Sequence, residues 1–363
     1  MSDIYKQSGV DTKAGEHAVE LMKDLILKTH QKQVIGNFGG FAGLFDISFV
    51  KNYQQPILAT STDGVGTKIR IAQLMDKHDT IGLDLVAMVL DDIVVCGAKP
   101  LFMTDYIAIG KVNPQKIAQI VSGIAQGCLE AGASLIGGET AEHPNMMKED
   151  DYDIAGAGVG VVEASKQLMA KNIKAGDVVI GLKASGLHSN GYSLVRKIVF
   201  EDQKLDVNSK IAEFSHTLGE ELLTPTAIYT KSCLSLIEKL NENLHGLSHI
   251  TGGGIAANLA RVLPENLGAK LERNTWQIPV VIKVLAQMSK QKLINFEQTL
   301  NMGIGMIAIV DKTVAQLAIN ILKDSQIDSF IIGEIIKKES DSVSDAPAKG
   351  GSGGFVNLVG EYN

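Results

Sequence analysis

The sequence predicts two domains of mixed α/β structure. The chain has 363 residues, about twice the size of one typical domain, and its 45% apolar and 21% charged residues are ordinary for a globular protein. Strand-like and helix-like segments alternate in both halves, and this pattern lapses into short polar and charged stretches over residues 164–176. We therefore expect a boundary near residue 167, with domains at 1–167 and 168–363.

The first half alternates strand and helix patterns. Short apolar segments predict strands at 56–60, 101–109, 134–136 and 154–162. A strongly apolar run predicts a helix over 83–95. A second helix begins at Pro114, because the apolar residues that follow it recur on one helical face, at Ile117, Ile120, Val121, Ile124 and Cys128.

The second half has the same alternation. Strands are predicted at 178–182, 304–310 and 330–336, and helices near Asn190, over 225–240, after Gly254 and over 314–322. Residues 339–354 are rich in Ser, Ala and Gly, so we expect a flexible loop there. The alternating segment 355–362 predicts a last strand that pairs with 330–336, which would make the loop the tip of a long hairpin.

Charge and cysteine content restrict the partners and the compartment. Lys and Arg number 34 against 41 Asp and Glu, and the net charge of −7 disfavours nonspecific binding to nucleic acid or to an anionic membrane. The three cysteines are far apart and form no zinc or disulfide motif. With no signal-peptide pattern and no apolar run near the roughly 18 residues of a membrane span, we expect a cytoplasmic protein.

Glycine is over-represented, and several glycines lie in possible ligand loops. The chain has 37 glycines, roughly 10% of the residues against a usual ~7%. The strongest signal is Ser61-Thr-Asp-Gly-Val-Gly-Thr-Lys68. Gly64 and Gly66 let backbone N–H groups approach an anion, while Asp63 can hold a divalent cation. Lys68 can neutralise a phosphate oxygen, although the same segment is also compatible with a tight turn capped by the aspartate.

Aspartates on the predicted helix 83–95 suggest a metal site. Asp84 and Asp92 are eight residues apart, so we expect them to share a helical face, with Asp63 opposite. Magnesium prefers a few carboxylates together with phosphate oxygens, which suits a nucleotide–metal site. The alternative for Asp91 and Asp92 is a solvated helix face. Asp92 lies in an apolar run where burial without a partner is costly, which favours function.

Two further segments in the first half are rich in glycine, and one of them also carries acidic residues. Gly39-Gly-Phe-Ala-Gly43 is a second glycine loop. Gly137-Gly-Glu-Thr-Ala-Glu142 follows a short predicted strand, so Glu139 and Glu142 can present carboxylates to a metal or a substrate amine. A turn with solvated acids fits equally well.

The second half offers two possible anion sites at helix N-termini. Ser189, Asn190 and Gly191 precede a predicted helix, whose first-turn N–H groups and dipole bind phosphate. His188 is expected at the mouth of this loop as a general acid or base, although a lone histidine is often structural. Thr251-Gly-Gly-Gly254 also precedes a helix. Gly303-Ile-Gly305 enters a strand, so it does not fit a dinucleotide fingerprint.

Seven stretches together resemble one known family. They are Gly39-Gly-Phe-Ala-Gly43, 61–72, 79–88, Gly97-Ala-Lys-Pro-Leu101, Gly137-Gly-Glu-Thr-Ala-Glu142, His188-Ser-Asn-Gly-Tyr-Ser-Leu-Val-Arg196 and His249-Ile-Thr-Gly-Gly-Gly254. The chain resembles the phosphoribosylformylglycinamidine cyclo-ligases, or aminoimidazole ribonucleotide synthetases, of purine biosynthesis. The resemblance implies ATP and Mg²⁺, the substrate formylglycinamidine ribonucleotide, and a homodimer in which strands of both N-terminal domains form a shared β-barrel.

The resemblance also implies roles for individual residues. It assigns Asp63 and Asp92 to magnesium, and Lys68, Asp92 and His188 to catalysis. The ATP-binding residues would be Gly39, Gly40, Asp63, Gly64, Gly66, Thr67 and Lys68. The substrate-binding residues would be Glu139, His188, Ser189, Asn190, Gly252 and Gly253.

Two features depart from the family pattern, and other functions compete. The stretch 340–354 is an insertion, and Asp91 stands where the family usually has Asn.

Related ATP-dependent enzymes, such as thiamine-monophosphate kinase, selenophosphate synthetase or the synthase that forms the amidine, are the first alternative. The kinase lacks the motif that begins at His188, and no cysteine lies before Cys96 to serve a selenophosphate synthetase. The second alternative is a catalytically silent ligand-binding homologue.

Overall fold

A computed structural model describes residues 12–36, 39–338 and 353–363. The chain forms two compact units. The first unit comprises Met1–Val94 and Ala98–Ser165, and the second comprises Val95–Gly97 and Lys166–Asn363. The loop expected over 339–354 lies almost wholly outside the described residues.

The first unit contains six strands and four α-helices among its described residues. The strands are β1 (Val34–Ile35), β2 (Leu44–Phe45), β3 (Pro56–Gly64), β4 (Lys99–Ile109), β5 (Ser134–Glu142) and β6 (Tyr152–Glu163). The helices are α1 (Thr12–Thr29), α2 (Ile69–Met75), α3 (Ile81–Val94) and α4 (Pro114–Ala131). All four strands predicted in this half are present, but β3 and β5 continue well past their expected ends.

The main sheet of the first unit has the strand order β3-β6-β4-β5. β6 runs antiparallel to both of its neighbours, whereas β4 and β5 are parallel. Helix α3 packs on β3 and β6, α4 packs on α3, and α1 packs on α4. Helix α4 is capped by Asn113, whose side chain accepts hydrogen bonds from the N–H groups of Gln115 and Lys116.

Three glycines on β6 let α3 approach the sheet closely. Gly156, Gly158 and Gly160 alternate along the strand, so they point to the same face. A Cβ atom at Gly158 would lie 2.8 Å from Leu90 Cδ2 and 2.9 Å from Ile93 Cδ1. These distances are shorter than normal packing allows, so part of the glycine excess is explained by helix–sheet contact and not by ligand binding.

The second unit contains six strands and six α-helices among its described residues. The strands are β7 (Val178–Lys183), β8 (Leu244–His249), β9 (Leu267–Glu272), β10 (Ile304–Val310), β11 (Ser329–Lys337) and β12 (Phe355–Val359). The helices are α5 (Tyr192–Arg196), α6 (Leu218–Leu222), α7 (Thr230–Leu240), α8 (Gly254–Val262), α9 (Val280–Ser289) and α10 (Ala315–Asp324). The sequence patterns did not predict eight of the described elements, namely α1, α2, α6, α9, β1, β2, β8 and β9.

The strands of the second unit form one sheet in the order β12-β9-β11-β7-β10-β8. The predicted hairpin between the last two strands is wrong, because β9 lies between them. β12 pairs with β9 in parallel, and β9 pairs with β11 antiparallel. A hairpin was expected because neighbouring strands in sequence usually pair, but the edge of β11 was already occupied by a strand that the sequence pattern did not reveal.

A buried arginine attaches the C-terminal segment to this sheet. Nε and Nη2 of Arg273 lie 2.6 Å and 3.1 Å from the two carboxylate oxygens of Glu297. Its Nη1 donates to the backbone oxygen of Leu358 at 2.6 Å, and the hydroxyl of Tyr362 donates to Glu297 at 2.7 Å. Charge-assisted hydrogen bonds of this kind are about twice as strong as neutral ones.

No helix in the described part of the chain is both long enough and apolar enough to cross a bilayer.

Candidate active site

The first predicted part of the site is the turn after β3. The strand continues to Gly64, so Asp63 lies within β3 and not in a loop, and its Oδ1 accepts a hydrogen bond from the N–H of Gly64 at 2.7 Å. A 3₁₀ turn, Gly66–Lys68, follows. Gly66 has a φ of +72°, which favours glycine, and both Gly66 and Thr67 are exposed. An anion can therefore approach the backbone of this turn.

Lys68 is completely buried. Its Nζ lies 2.8 Å from Oδ1 of Asp84, and the relative exposure of both side chains is 0%. Burial lowers the pKa of Lys68 below its usual range, and the neighbouring Asp84 carboxylate opposes that shift. The ammonium group therefore compensates a buried carboxylate and does not point into solvent.

The three aspartates of α3 are not arranged as expected. Asp84 and Asp91 are both fully buried, whereas Asp92 is only half-buried. Seven residues return a helix to within about 20° of the same direction, but eight residues overshoot by about 80°. The prediction that Asp84 and Asp92 share a face is therefore wrong, and so is a solvated face for Asp91. Asp92 is the aspartate of this helix that solvent can reach.

Two predicted glycine loops meet at a cavity of about 410 Å³ in the first unit. Gly39, Gly40 and Gly43 line one side of it, and Gly137, Gly138 and Glu139 line another. Helix α1 contributes apolar residues, including Ala18 and Met22. The sequence motifs 39–43 and 137–142 are thus brought together, although nearly 100 residues separate them.

Asp105 of β4 also lines this cavity. Sheet register places Asp63, Gly156, Asp105 and Gly138 in one row across four strands. A Cβ atom at Gly138 would lie 2.4 Å from Asp105 Oδ1, so the glycine leaves room for the carboxyl group. Burial raises the pKa of Asp105 to about 7. This carboxyl group can therefore donate a hydrogen bond near neutral pH.

The acidic residues of β5 have different environments. The motif 137–142 was expected either to present carboxylates at the end of a strand or to form a turn with solvated acids, but it belongs to β5, which continues to Glu142. Glu139 is exposed at the cavity. Glu142 accepts a hydrogen bond from the N–H of Val112 at 2.7 Å, so it fixes the loop before α4.

His188 lies in the turn after β7 and is buried at 1% exposure. Its φ of +62° is unusual for a residue other than glycine. Ser185 N–H donates to its Nε2 at 3.2 Å, so Nε2 carries no proton and the neutral ring is protonated at Nδ1. The ring packs beside Tyr229, with 6.1 Å between the ring centroids. The histidine therefore faces the interior and not the mouth of the loop as expected.

The residues after His188 form a compact turn into α5. Ser189 is buried at 8% exposure and Asn190 is half-buried. The helix begins at Tyr192, two residues later than expected, and Gly191 precedes it with a φ of +77°. Since α5 has five residues and continues as the π-helix Lys197–Asp202, its dipole is short.

The Thr251–Gly254 loop is held by a residue that the sequence reading missed. Gly252 and Gly253 are half-buried, and Gly253 precedes α8 with a φ of +105°. The Asn258 side chain donates to the backbone oxygens of Thr251 at 3.2 Å and Gly254 at 2.8 Å. An asparagine one turn into a helix that follows a glycine run is the signal that could have indicated this role.

Asp105 was also missed, although it carried a signal of its own. It is a carboxylate in the middle of the apolar strand predicted at 101–109. An acid in such a position needs a partner or a raised pKa.

Sequence comparison with known protein domains defines the class to which the chain belongs. A sequence model described as "AIR synthase related protein, N-terminal domain" matches residues 45–162, and its C-terminal counterpart matches residues 174–346. The first match falls within the first unit except for Val95–Gly97, and the second match falls within the second unit. Together they place the chain among the AIR synthase related proteins.

The curated relatives narrow this class. A phosphoribosylformylglycinamidine cyclo-ligase from Alkaliphilus oremlandii is 49% identical over 93% of this chain and 98% of the relative. The chain therefore belongs to the family of phosphoribosylformylglycinamidine cyclo-ligases.

Solved structures share the fold at much lower identity. Thiamine-monophosphate kinase from Stenotrophomonas maltophilia superposes with a TM-score of 0.67 at 16% identity, covering 93% of this chain and 96% of the kinase. The hydrogenase maturation protein HypE in complex with ATP superposes with a TM-score of 0.59 at 16% identity, covering 88% of this chain and 86% of HypE.

Proposed function

We propose that the chain is an ATP-dependent cyclo-ligase of purine biosynthesis, which converts formylglycinamidine ribonucleotide to aminoimidazole ribonucleotide, ADP and phosphate. The observation that carries this function is the near-full-length identity of 49% to a relative of that name. The γ-phosphoryl group of ATP moves to the formyl amide oxygen, which makes that oxygen a good leaving group. The neighbouring amidine nitrogen then attacks the activated carbon, and phosphate departs with the oxygen.

ATP is proposed to bind through residues of the first unit. They are Gly39, Gly40, Asp63, Gly64, Gly66, Thr67 and Lys68. The exposed turn at Gly66 and Thr67 supports contact with phosphate, and the glycine-lined cavity supports a bound small molecule. Lys68 can contact a phosphate directly only if its ammonium group leaves Asp84, and otherwise it acts on the phosphate through the buried pair.

Magnesium is proposed to bind to Asp63 and Asp92. The donor set fits, because both are carboxylates that solvent reaches at least in part, whereas Asp84 is held by Lys68. When bound with ATP, the ion would neutralise charge on the phosphates. Phosphoryl transfer depends mainly on such neutralisation and on positioning.

Glu139, His188, Ser189, Asn190, Gly252 and Gly253 are proposed to bind the substrate ribonucleotide. The loops that carry the last five are fixed by the hydrogen bonds of Ser185 and Asn258. Because Nε2 of His188 is occupied by the Ser185 N–H group, a proton acceptor role would need this bond to break.

A homodimer is also proposed. β3 is an edge strand of its sheet, and on the face away from α3 it carries Leu58, which is 65% exposed. Tyr106 of β4 is 43% exposed. Exposed edges and apolar side chains of this kind favour pairing with a second copy. A cytoplasmic location is proposed as well, supported by three cysteines that form no disulfide with one another.

The reaction itself provides the test. Purified protein with ATP and Mg²⁺ should release ADP only when formylglycinamidine ribonucleotide is present, and an aminoimidazole should form in step with ADP. Equal ATP turnover without that substrate, or none with it, would contradict the proposed function.

A further inference from the structure

Three residues of the second unit converge at one end of its sheet, away from the loops discussed above. Asp177 immediately precedes β7, Asp311 immediately follows β10, and His245 is the second residue of β8. These strands are neighbours, and Val310 of β10 pairs with both Val178 of β7 and Leu244 of β8. One metal-binding atom of each of the three residues lies within 4.8 Å of those of the other two.

The cluster is at the opposite end of β7 from His188. The strand has six residues, which corresponds to about 20 Å at ~3.3 Å per residue. The His188 turn and the Thr251–Gly254 loop follow the other ends of β7 and β8, so the cluster is not part of the proposed substrate site.

Two of the three side chains are removed from solvent. Asp177 is 1% exposed and His245 is 6% exposed. Oδ2 of Asp177 accepts a hydrogen bond from the N–H of Lys174 at 2.9 Å and lies 2.7 Å from Nδ1 of His245. Its other oxygen, Oδ1, is buried and has no hydrogen-bond partner among the described residues. Leaving a buried carboxylate oxygen unsatisfied is costly, and this oxygen is available to a further ligand.

Asp311 supplies the third donor. Its Oδ2 lies 2.8 Å from Nζ of Lys174. The Lys174 side chain is 60% exposed, so it can move into solvent when another cation takes its place. Two carboxylates therefore face one lysine charge, and a divalent cation would balance them better.

We propose that Asp177, His245 and Asp311 form a binding site for a divalent transition-metal ion of the Zn²⁺ type. Zinc binds imidazole nitrogens and carboxylate oxygens, and water completes the coordination of a site with three protein ligands. Magnesium rarely takes imidazole, so this site is distinct in chemistry from the magnesium site proposed for ATP. The bound ion joins the ends of three strands and acts on stability, not on the reaction.

The test is calorimetric titration of the full-length protein with ZnCl₂, after removal of metals with a chelator and in excess Mg²⁺. Because Cys96 is an exposed thiol that could itself take Zn²⁺, all proteins carry Cys96→Ser. We expect one Zn²⁺ per chain and a melting temperature that rises with Zn²⁺, because binding to the native state stabilises it.

The variants separate the site from other Zn²⁺ ligands. His245→Gln and Asp311→Asn should each weaken Zn²⁺ binding by roughly tenfold or more. Asp311→Asn keeps the fold, because asparagine can also accept the hydrogen bond from Thr313 that Asp311 receives at 2.9 Å. The control is His216→Gln, which removes an exposed histidine 2.7 Å from Glu221 and should change nothing.

The titration has outcomes that overturn the proposal. No stoichiometric Zn²⁺ binding, or binding of equal strength in Asp311→Asn, would show that the cluster is only a hydrogen-bonded network. Equal loss in His216→Gln would point to general surface binding.

Discussion

Nζ of Lys68 and Oδ1 of Asp84 lie 2.8 Å apart, and neither side chain is exposed to solvent. The lysine comes from the turn after β3 and the aspartate from the first turn of α3, so the pair connects the proposed nucleotide loop to the central helix of the first unit. Such a pair gives little net stability over an apolar one, but the loss of one partner leaves an uncompensated buried charge.

Lys68→Met should therefore destabilise the protein by about 3–5 kcal/mol, measured by urea denaturation. The double variant Lys68→Met/Asp84→Asn should recover much of this loss, because no charge is left buried. If Lys68 also acts on ATP as proposed, the double variant stays inactive despite its recovered stability. Activity that returned together with stability would restrict Lys68 to a structural role.

Asp92→Asn should raise the concentration of Mg²⁺–ATP needed for half-maximal rate by roughly tenfold or more, with little change in melting temperature. The reason is that Asp92 is the half-buried aspartate of α3, where it can reach a ligand. Asp91→Asn is the matched control on the buried side. Asp91→Asn should lower the urea midpoint more than it changes the Mg²⁺ requirement. If Asp91→Asn instead changed the Mg²⁺ requirement and Asp92→Asn the urea midpoint, Asp91 would be the magnesium ligand and Asp92 the structural residue.

Stability should depend on pH through Asp105. In the folded protein the carboxyl group of Asp105 has a pKa of about 7, whereas the ordinary value is 3.8. The native state therefore binds more protons between these values, and the free energy of unfolding should fall as pH rises, by at most ~1.4 kcal/mol per pH unit from this residue. Asp105→Asn should remove this pH dependence. The free energy of unfolding of the variant minus that of the wild type should therefore be larger at pH 8 than at pH 5.

Urea denaturation at both pH values measures this difference. Asp24→Asn changes an exposed aspartate of α1 and is the control. If the difference in free energy of unfolding between the wild type and Asp105→Asn is the same at both pH values, the pKa of Asp105 is not raised.

Gly158→Ala should destabilise the protein by about 1–3 kcal/mol, because the added methyl group overpacks the contact between α3 and β6. The new atom would lie 2.8 Å from Leu90 Cδ2. Gly15→Ala in α1 is the contrast, since its Cβ atom would meet nothing within 4 Å. That substitution should stabilise the helix by ~0.5–1 kcal/mol. Equal melting temperatures for the two variants would show that α3 can move away from the sheet.

Local pattern predicted much of the fold, and long-range packing decided the rest. The apolar stripe after Pro114 and the strand at 101–109 are present because their periodicity reflects burial on one or two faces. The ends of β3 and β5 were predicted too early, because glycine and acidic residues favour turns in isolation but here lie in register with neighbouring strands. Sheet pairing outweighed local preference at both places.

In the candidate active site, too, local sequence pattern predicted some features and long-range packing decided others. Two of the glycine motifs line one cavity, as far as the described residues show. Spacing alone could not show that Lys68 would be enclosed with Asp84 or that His188 would turn inward, because both depend on residues far away in sequence. For the same reason, the pattern could not reveal that β9 separates β11 from β12.

The place of β12 has a consequence for folding during synthesis. β9 remains an edge of its sheet until β12 has emerged from the ribosome, because β12 is the strand that covers it. Until then, Arg273 lacks the backbone oxygen of Leu358 that it holds in the native state. The nascent second unit therefore exposes an unpaired strand edge from the emergence of β9 to the emergence of β12, and this interval is when it is most prone to aggregate.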